Sequence, residues 1–278
     1  TNAIHEYNYV FEIADAGDGL NIADNSSGGI IRYNEVAGIH GENAAIYIYG
    51  ATDMQILCNL VRDSGYGGND GIKVGAKNGG DATKQGVLVK GNVVHNITQD
   101  GISVYMSGVT VEENEIYNCR SENGAIYVAY GVSDVTIRNN KVYDNTLNTR
   151  KWDNPGAIMI GTAVNAATVY VNANNIYGNW PYGVTNKAAA TLDATGNWWG
   201  AADGPSGEGP GSGDAVSTNV SFANWLAQPQ IITDPCVPLD DQGPVTSNVT
   251  AAPEPVQVGN NVAVMANVDD SATGGSSI

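Results

Sequence analysis

The sequence predicts an all-β chain wound into about eight stacked coils of parallel strands. One phrase recurs: VLVKGNVVHNITQDGISV at 87–104 is followed by VTVEENEIYNCRSENGAIYV at 109–128 and by VTIRNNKVYDN from Val135. Within each short run, apolar residues fall at every second position, which is the period of a strand and not of a helix. The repeat length of about 22–26 residues is typical of a solenoid with three short strands per coil.

An asparagine at one turn of each repeat aligns the coils. Successive members of this set are 26, 25, 33, 22, 26, 34 and 23 residues apart: Asn8, Asn34, Asn59, Asn92, Asn114, Asn140, Asn174 and Asn197. Coils stacked at roughly the 4.8 Å strand spacing bring these amides within bonding distance of one another. We therefore predict a side-chain ladder through these positions. We also expect each asparagine to adopt the left-handed backbone of its turn.

Four of the repeat phrases carry a family resemblance. NEIYN at Asn114, NNIYG at Asn174, GIKV at Gly71 and GISV at Gly101 resemble the right-handed parallel β-helix repeat of pectate-lyase-like proteins, over about residues 1–230. The resemblance implies a right-handed parallel β-helix of the secreted or cell-surface type. It implies the fold rather than an activity. The Asn-Thr-Asp, Gly-His-Gly and Arg-x-Lys sets of lyases and galacturonases with this fold do not occur in the sequence.

The sequence pattern of the C-terminal part differs from that of the repeats and divides into three segments. Residues 191–230 resemble a closing coil, with Trp198, Trp199, Phe222 and Trp225 as apolar plugs for its open end. Residues 231–243 contain Pro and Asp and predict a linker. Residues 244–278 alternate like the first strands of a β-sandwich and resemble the start of an immunoglobulin-like domain of surface proteins. About two strands cannot form a sandwich alone, so this segment is predicted to be partial.

Composition excludes some classes of function. The chain has a net charge of −17 and a pI of about 4.2, which argues against nucleic acid as a partner. No apolar run reaches the length of a membrane span. Its three cysteines, Cys58, Cys119 and Cys236, form no CxxC motif and are predicted to be buried thiols. Because the chain opens within the pattern, we expect it to be a piece of a longer extracellular or cell-surface protein.

Tyrosines follow the third strand of the coils. Where the apolar pair of that strand points inward, the intervening residue points outward, and several outward or adjoining positions hold tyrosine: Tyr47, Tyr49, Tyr105, Tyr127 and Tyr130. Such a row predicts a carbohydrate-binding platform, since sugars stack on aromatic faces and bond to phenol hydroxyls. The alternative is that tyrosine is simply a favourable strand residue, half covered by loops.

The same strand carries the best candidates for acid–base chemistry. Asp70 and Asp100 each precede a glycine on adjacent coils, with Lys73 nearby. Two carboxylates one strand apart either split their pKa values, as catalytic pairs do, or share a cation such as Ca²⁺. The competing interpretation is that Asp-Gly is ordinary turn chemistry.

A second candidate set lies three residues after each ladder asparagine. These outward positions hold Arg62, His95, Tyr117, Tyr143 and Tyr177. Arg62 and His95 could neutralise a uronate and accept a proton in a β-elimination. The alternative is that both are polar residues of a solvated strand.

Two functions remain open at this stage. The first is a non-catalytic, rigid structural or adhesive module that contacts polysaccharide and associates with other copies. The second is a polysaccharide lyase or glycoside hydrolase working between inserted loops at 75–85 and 146–155. Calcium is the only cofactor that the sequence points to, and only through Asp70 and Asp100.

Overall fold

The computed structural model describes residues 3–13, 17–23, 26–41, 43–65, 69–75, 81–84, 86–129, 131–148, 154–236, 245–252 and 263–269. Contact clustering divides the chain into Thr1–Asp234 and Pro235–Ile278. The first unit consists of parallel strands, and one 3₁₀ turn at Ala166–Thr168 is the helical element found within the described ranges. No helix in the part of the chain that can be described is long and apolar enough to cross a membrane.

Three long parallel sheets run the length of the first unit. Sheet 1 contains, in order, Ile4–Glu6, Ile30–Arg32, Gln55–Leu57, Leu88–Lys90, Thr110–Glu112, Val135–Arg138, Val169–Asn172, Leu192–Asp193 and Val220–Ser221. Sheet 2 contains Tyr9–Phe11, Glu35–Ala37, Leu60–Arg62, Val93–His95, Glu115–Tyr117, Lys141–Tyr143 and Asn175–Tyr177. Sheet 3 contains Leu20–Ile22, Ala44–Ile48, Asp70–Val74, Ile102–Val104, Ile126–Val128, Gly156–Ile160, Tyr182–Asn186, Gly213–Val216 and Pro205–Gly207.

Most coils add one strand to each sheet, so the predicted parallel β-helix is confirmed. The register places Val94 beside Ile116 in sheet 2 and Ile102 beside Ile126 in sheet 3. Inward residues of this kind form one continuous apolar core along the axis. Burial of each such side chain contributes about 1.5–3 kcal/mol to the free energy of unfolding, which makes this apolar core the main source of stability.

The asparagine ladder predicted at the turn between sheets 1 and 2 is also present. Each Nδ2 donates to the Oδ1 of the next asparagine along the chain, at 2.8 Å for Asn8 to Asn34 and 3.1 Å for Asn174 to Asn197. The five intervening links are 2.9–3.0 Å. Each buried asparagine between the two ends of the ladder therefore has partners on both neighbouring coils, as a dry interior requires.

The left-handed residue of this turn is not the one predicted. Positive φ occurs at the residue before the ladder asparagine, as at Tyr33 (φ 54°), Asn139 (φ 55°) and Ala173 (φ 56°). The asparagine is needed instead for its side-chain bonds, so the expectation of a left-handed ladder asparagine is wrong.

A second, shorter ladder lies at the turn between sheets 2 and 3 and escaped the sequence reasoning. The amide of Asn145 donates to Asn179 at 2.9 Å, and that of Asn179 donates to the carboxylate of Asp214 at 2.7 Å. Asn145 and Asn179 each lie five residues after a member of the first ladder, so the same alignment could have revealed them.

The C-terminal end of the coil is closed by aromatic residues, with one difference from the prediction. Trp199 is fully buried, and Phe222 and Trp225 pack against the core. Trp198 instead faces outward beside Tyr177. Beyond this end, Gln230 bonds through its backbone to the side chain of Asn175, at 2.8 and 2.9 Å. Residues 231–234, the start of the expected linker, lie within the first unit.

Two smaller features complete the described chain. Asp81–Lys84 pairs in parallel with Met106–Ser107. In the second unit, Val245–Ala252 and Ala263–Asp269 form an antiparallel pair, while their membership of an immunoglobulin-like domain stays a prediction.

Cys119 is a buried free thiol as expected, but Cys58 and Cys236 are each disulfide-bonded, so the prediction of thiols is wrong at those two positions.

Candidate functional site

The predicted tyrosine platform on the outer face of sheet 3 is mostly covered. The register aligns Tyr47 with Lys73, Lys73 with Ser103 and Ser103 with Tyr127 across four coils. Tyr47 and Tyr127 are 5 % exposed and Tyr105 is 9 % exposed, whereas Tyr49 retains 39 %. The expectation of an exposed row is therefore wrong at three positions, because alternation gives the direction of a side chain but not what lies over it. Tyr130 is outside the described residues, and carbohydrate binding by any of the five stays untested.

The covered face contains the predicted carboxylate pair, Asp70 and Asp100. Together with the neighbouring Lys73 and Ser103, we call this group the carboxylate cluster. The Ser103 hydroxyl donates to Asp70 at 2.5 Å. Asp100 accepts from the Ser121 hydroxyl and from the amide of Asn123, the latter at 3.1 Å. The structure thus brings together the three residues Asp70, Lys73 and Asp100, all of them buried.

Electrostatics within the cluster favour a neutral acid. Burial raises the pKa of Asp70 to about 8, and the neighbouring Asp100 carboxylate adds to the rise, while Ser103 and Lys73 oppose it. The Lys73 ammonium lies 5.1 Å from the ring centre of Tyr47 and 5.5 Å from that of Tyr105. A protonated carboxylic acid beside a lysine can donate a hydrogen bond to an anionic group or transfer a proton.

The residues around the pair offer calcium few ligands. Calcium takes six to eight oxygen ligands, but Asn123 turns its amide nitrogen toward Asp100. No group of three or more acidic, histidine or cysteine side chains suited to a metal occurs in the described ranges. Calcium at Asp70 and Asp100 stays a prediction that the observed contacts do not favour.

Arg62 and His95 meet on sheet 2, away from the carboxylate cluster of sheet 3. They are register partners on adjacent strands. The Arg62 guanidinium is engaged by Glu35 and by Asp63, at 2.6 Å each. Hydrogen bonds from Asn96 and Arg62 in turn lower the pKa of Asp63. The two sets of predicted catalytic residues therefore cannot serve a single site.

His95 begins a stack of rings along the outside of sheet 2, which we call the aromatic column: His95, Tyr117, Tyr143, Tyr177 and Trp198. Ring centres are 4.8 Å apart for His95 and Tyr117, 5.1 Å for Tyr117 and Tyr143, and 5.0 Å for Tyr143 and Tyr177. These three pairs are within 10° of parallel, and Trp198 closes the stack at 5.1 Å with a tilt of 53°.

Polar groups border the column and hold it in place. The Tyr143 hydroxyl donates to Glu115 at 2.6 Å, and Glu115 also pairs with Lys141 at 3.4 Å. Burial raises the pKa of the Tyr117, Tyr143 and Tyr177 phenols, so all three stay protonated at neutral pH. Because their faces are stacked and the residues are only half-buried, the rings present edges and hydroxyls to the surface.

Comparison with known proteins agrees with the observed fold. The family model described as "Right handed beta helix region" matches residues 18–198. Among solved structures, the A-module of mannuronan C-5 epimerase AlgE6 from Azotobacter vinelandii is similar, with 16 % identity and a TM-score of 0.53. That match covers 80 % of this chain and 58 % of the module, so the chain spans little more than half of the module's length. No curated protein sequence matches.

Proposed function

We propose that this chain, which belongs to the right-handed β-helix family by its match over residues 18–198, is a non-catalytic module that binds polysaccharide along the aromatic column. The rigid parallel coil holds the column straight. Ring centres recur at 4.8–5.1 Å along it. A polymer of sugar residues can follow such a regular row, with hydroxyls bonding to hydroxyls and C–H groups packing against ring edges.

The regular stack of four half-buried rings carries this proposal. Structural need alone would be met by aliphatic residues at these outward strand positions, as at Leu60 and Val93 on the same face. Phenols add a polar group that can bond to a ligand. The solved neighbour is, by its name, a module of an enzyme of mannuronan, and this supports a glycan as the partner of the fold.

We further propose that the module works outside the cell. Cys58 and Cys236 are disulfide-bonded, and disulfides persist mainly in secreted, periplasmic and surface proteins. The strongly acidic composition is compatible with a salty extracellular medium.

Affinity measurements on a panel of neutral and acidic polysaccharides test the binding proposal. We expect at least one to bind, and Tyr117→Ala to weaken that binding about tenfold, equivalent to about 1.4 kcal/mol. Tyr170→Ala is the matched control, since Tyr170 is an exposed tyrosine on sheet 1. Binding that is equally weakened by both substitutions, or by neither, contradicts the assignment to the column.

A second candidate function rests on the carboxylate cluster. A neutral acid at Asp70 beside Lys73 is an arrangement typical of enzymes that protonate or deprotonate a substrate. The candidate is an enzyme acting on an acidic polysaccharide, by lyase, hydrolase or epimerase chemistry. Release of oligosaccharide, or a change in uronate configuration seen by NMR and lost in Lys73→Ala but not in Tyr117→Ala, would favour it over the binding module.

A further inference from the structure

A groove of about 400 Å³ lies at the C-terminal end of the coil, where the loop of residues 200–215 (the capping loop) meets the last turns. Its lining includes Tyr177, Pro181, Ser206, Ser212 and Asp214. Its volume is in the range of small-ligand sites. None of the residues singled out for chemistry in the sequence lies in it, apart from Tyr177.

The capping loop is held rigidly by its own bonds. Asp203 accepts from the backbone and the hydroxyl of Ser212, at 3.0 and 2.9 Å, and the Ser206 hydroxyl donates to Gly213 at 2.6 Å. Gly204 has a φ of 91°, and a Cβ there would lie 2.6 Å from the Trp225 ring. The groove is therefore preformed, so a ligand need not order the loop on binding.

Asp214 gives the groove its chemical character. Its carboxylate accepts from the backbone and the amide of Asn179, at 3.0 and 2.7 Å, and so ends the second ladder. Burial raises the pKa of Asp214 to about 6, against the effect of those hydrogen bonds.

A ladder does not need a carboxylate at its end. The first ladder ends in the neutral Asn197, whose amide donates to the carbonyls of Val171 and Ala194. A half-buried charge that the fold does not require indicates a role toward a ligand. Asp144 contributes to the raised pKa of Asp214, so the local field opposes an anionic ligand.

The groove adjoins the aromatic column, because Tyr177 belongs to both. We propose that the groove holds the terminal residue of an uncharged glycan whose following residues lie along the aromatic column, an assignment that rests on the proposed function. Sugar hydroxyls would donate to the Asp214 carboxylate and exchange hydrogen bonds with the hydroxyls of Ser206 and Ser212. The module then recognises a chain end as well as the chain.

Calorimetric titration with neutral hexasaccharides (cello-, manno-, xylo- and laminarihexaose) tests the assignment. Ala215→Leu adds bulk at a residue that lines the groove, leaves the Asp214 carboxylate in the sequence, and should weaken binding of the best hexasaccharide at least tenfold. Asp214→Asn should weaken it to a similar extent. Ala227→Leu, an exposed position of the same end, is the control and should bind like the wild type.

The outcomes separate the two proposals. If Tyr117→Ala weakens the hexasaccharide but Ala215→Leu does not, the groove assignment is overturned and the aromatic column stands. If every hexasaccharide and every polymer of the panel fails to bind the wild-type protein, both fall. Thermal melting of each variant shows whether it is folded, and Ala215→Leu tests the groove even if Asp214→Asn disturbs the ladder.

Discussion

Within the first ladder, one asparagine side chain makes hydrogen bonds to both neighbouring coils. Asn114, for example, accepts from the backbone and the amide of Asn92, at 2.9 and 3.0 Å. Its own amide donates to Asn140 and to the Val89 carbonyl. Leaving a buried donor or acceptor without a partner costs about 1–3 kcal/mol of folding free energy. A side chain too short to make these bonds therefore destabilises the ladder.

We therefore expect Asn114→Ala to lower the free energy of unfolding by about 2–4 kcal/mol, since it orphans groups on both neighbouring coils. Urea denaturation followed by circular dichroism measures the loss. Asn165→Ala, at an exposed asparagine outside the ladder, is the control and should change stability by less than about 0.5 kcal/mol. Equal losses in the two variants would show that the ladder bonds contribute little.

Asp70 should make stability depend on pH in the direction opposite to that of a salt-bridged acid. Its pKa of about 8 in the folded protein lies above the ordinary value of about 4 in the unfolded chain. The stabilising contribution of the neutral acid is therefore complete below about pH 4 and is lost as pH rises toward 8.

Asp70→Asn keeps a neutral side chain at every pH and should flatten this decline. The free energy of unfolding, measured from pH 5 to pH 9, should fall less in Asp70→Asn than in the wild type. In the control Asp63→Asn the decline should stay, because the pKa of Asp63 is lowered and it titrates below this range. A wild-type profile that is level from pH 5 to pH 9 would contradict a neutral Asp70.

At the scale of the coil, the turn between sheets 1 and 2 depends on its left-handed residue. Ala173 occupies this position with a φ of 56°, which costs an L-residue about 1–2 kcal/mol. Ala173→Gly should therefore raise the free energy of unfolding by up to about 1 kcal/mol, after the entropy of glycine in the unfolded chain is deducted. Thermal and urea unfolding measure the gain.

Ala227→Gly, outside any left-handed turn, should by contrast be neutral or destabilising. A loss of stability in Ala173→Gly would mean that the turn tolerates alanine without strain.

Strand alternation and the asparagine spacing predicted the coil, its three sheets and the ladder, because these depend on contacts between equivalent residues of adjacent coils. The same pattern could not predict that Tyr47 and Tyr127 are buried, since alternation gives only the direction in which a side chain leaves its strand. It also pointed to Tyr117, Tyr143 and Tyr177 as outward residues, but only coordinates show that their rings stack.

Asp214 shows a second limit of the sequence reasoning. It joins the second ladder from the strand Gly213–Val216, where no asparagine marks the turn, so the asparagine spacing did not place it beside Asn179. The disulfide-bonded state of Cys58 and Cys236 was likewise hidden, because their spacing matches no known framework.

Across neighbouring coils, ion pairs link some of the acidic residues of sheet 1 to basic ones. Glu112 pairs with Lys90 at 3.1 Å and with Arg138 at 2.7 Å, so three coils share one ionic network on sheet 1. Hydrogen bonds from Arg138 and Lys90 lower the pKa of Glu112 against the effect of burial. Part of the outer face of sheet 1 is thus taken up by ion pairs between its own residues. The outer face of sheet 3 is largely buried, whereas that of sheet 2 carries the regular row of half-buried rings.

A glycan bound along the aromatic column would contact sheet 2 and not sheet 3. Hydrogen–deuterium exchange of the wild-type protein, with and without the tightest-binding polysaccharide of the panel, measures this directly. We expect slower exchange in Glu115–Tyr117 and Lys141–Tyr143 of sheet 2, and unchanged exchange in Ile126–Val128 of sheet 3. Protection confined to Asp70–Val74 and Ile126–Val128 would contradict the binding module and place the ligand at the carboxylate cluster.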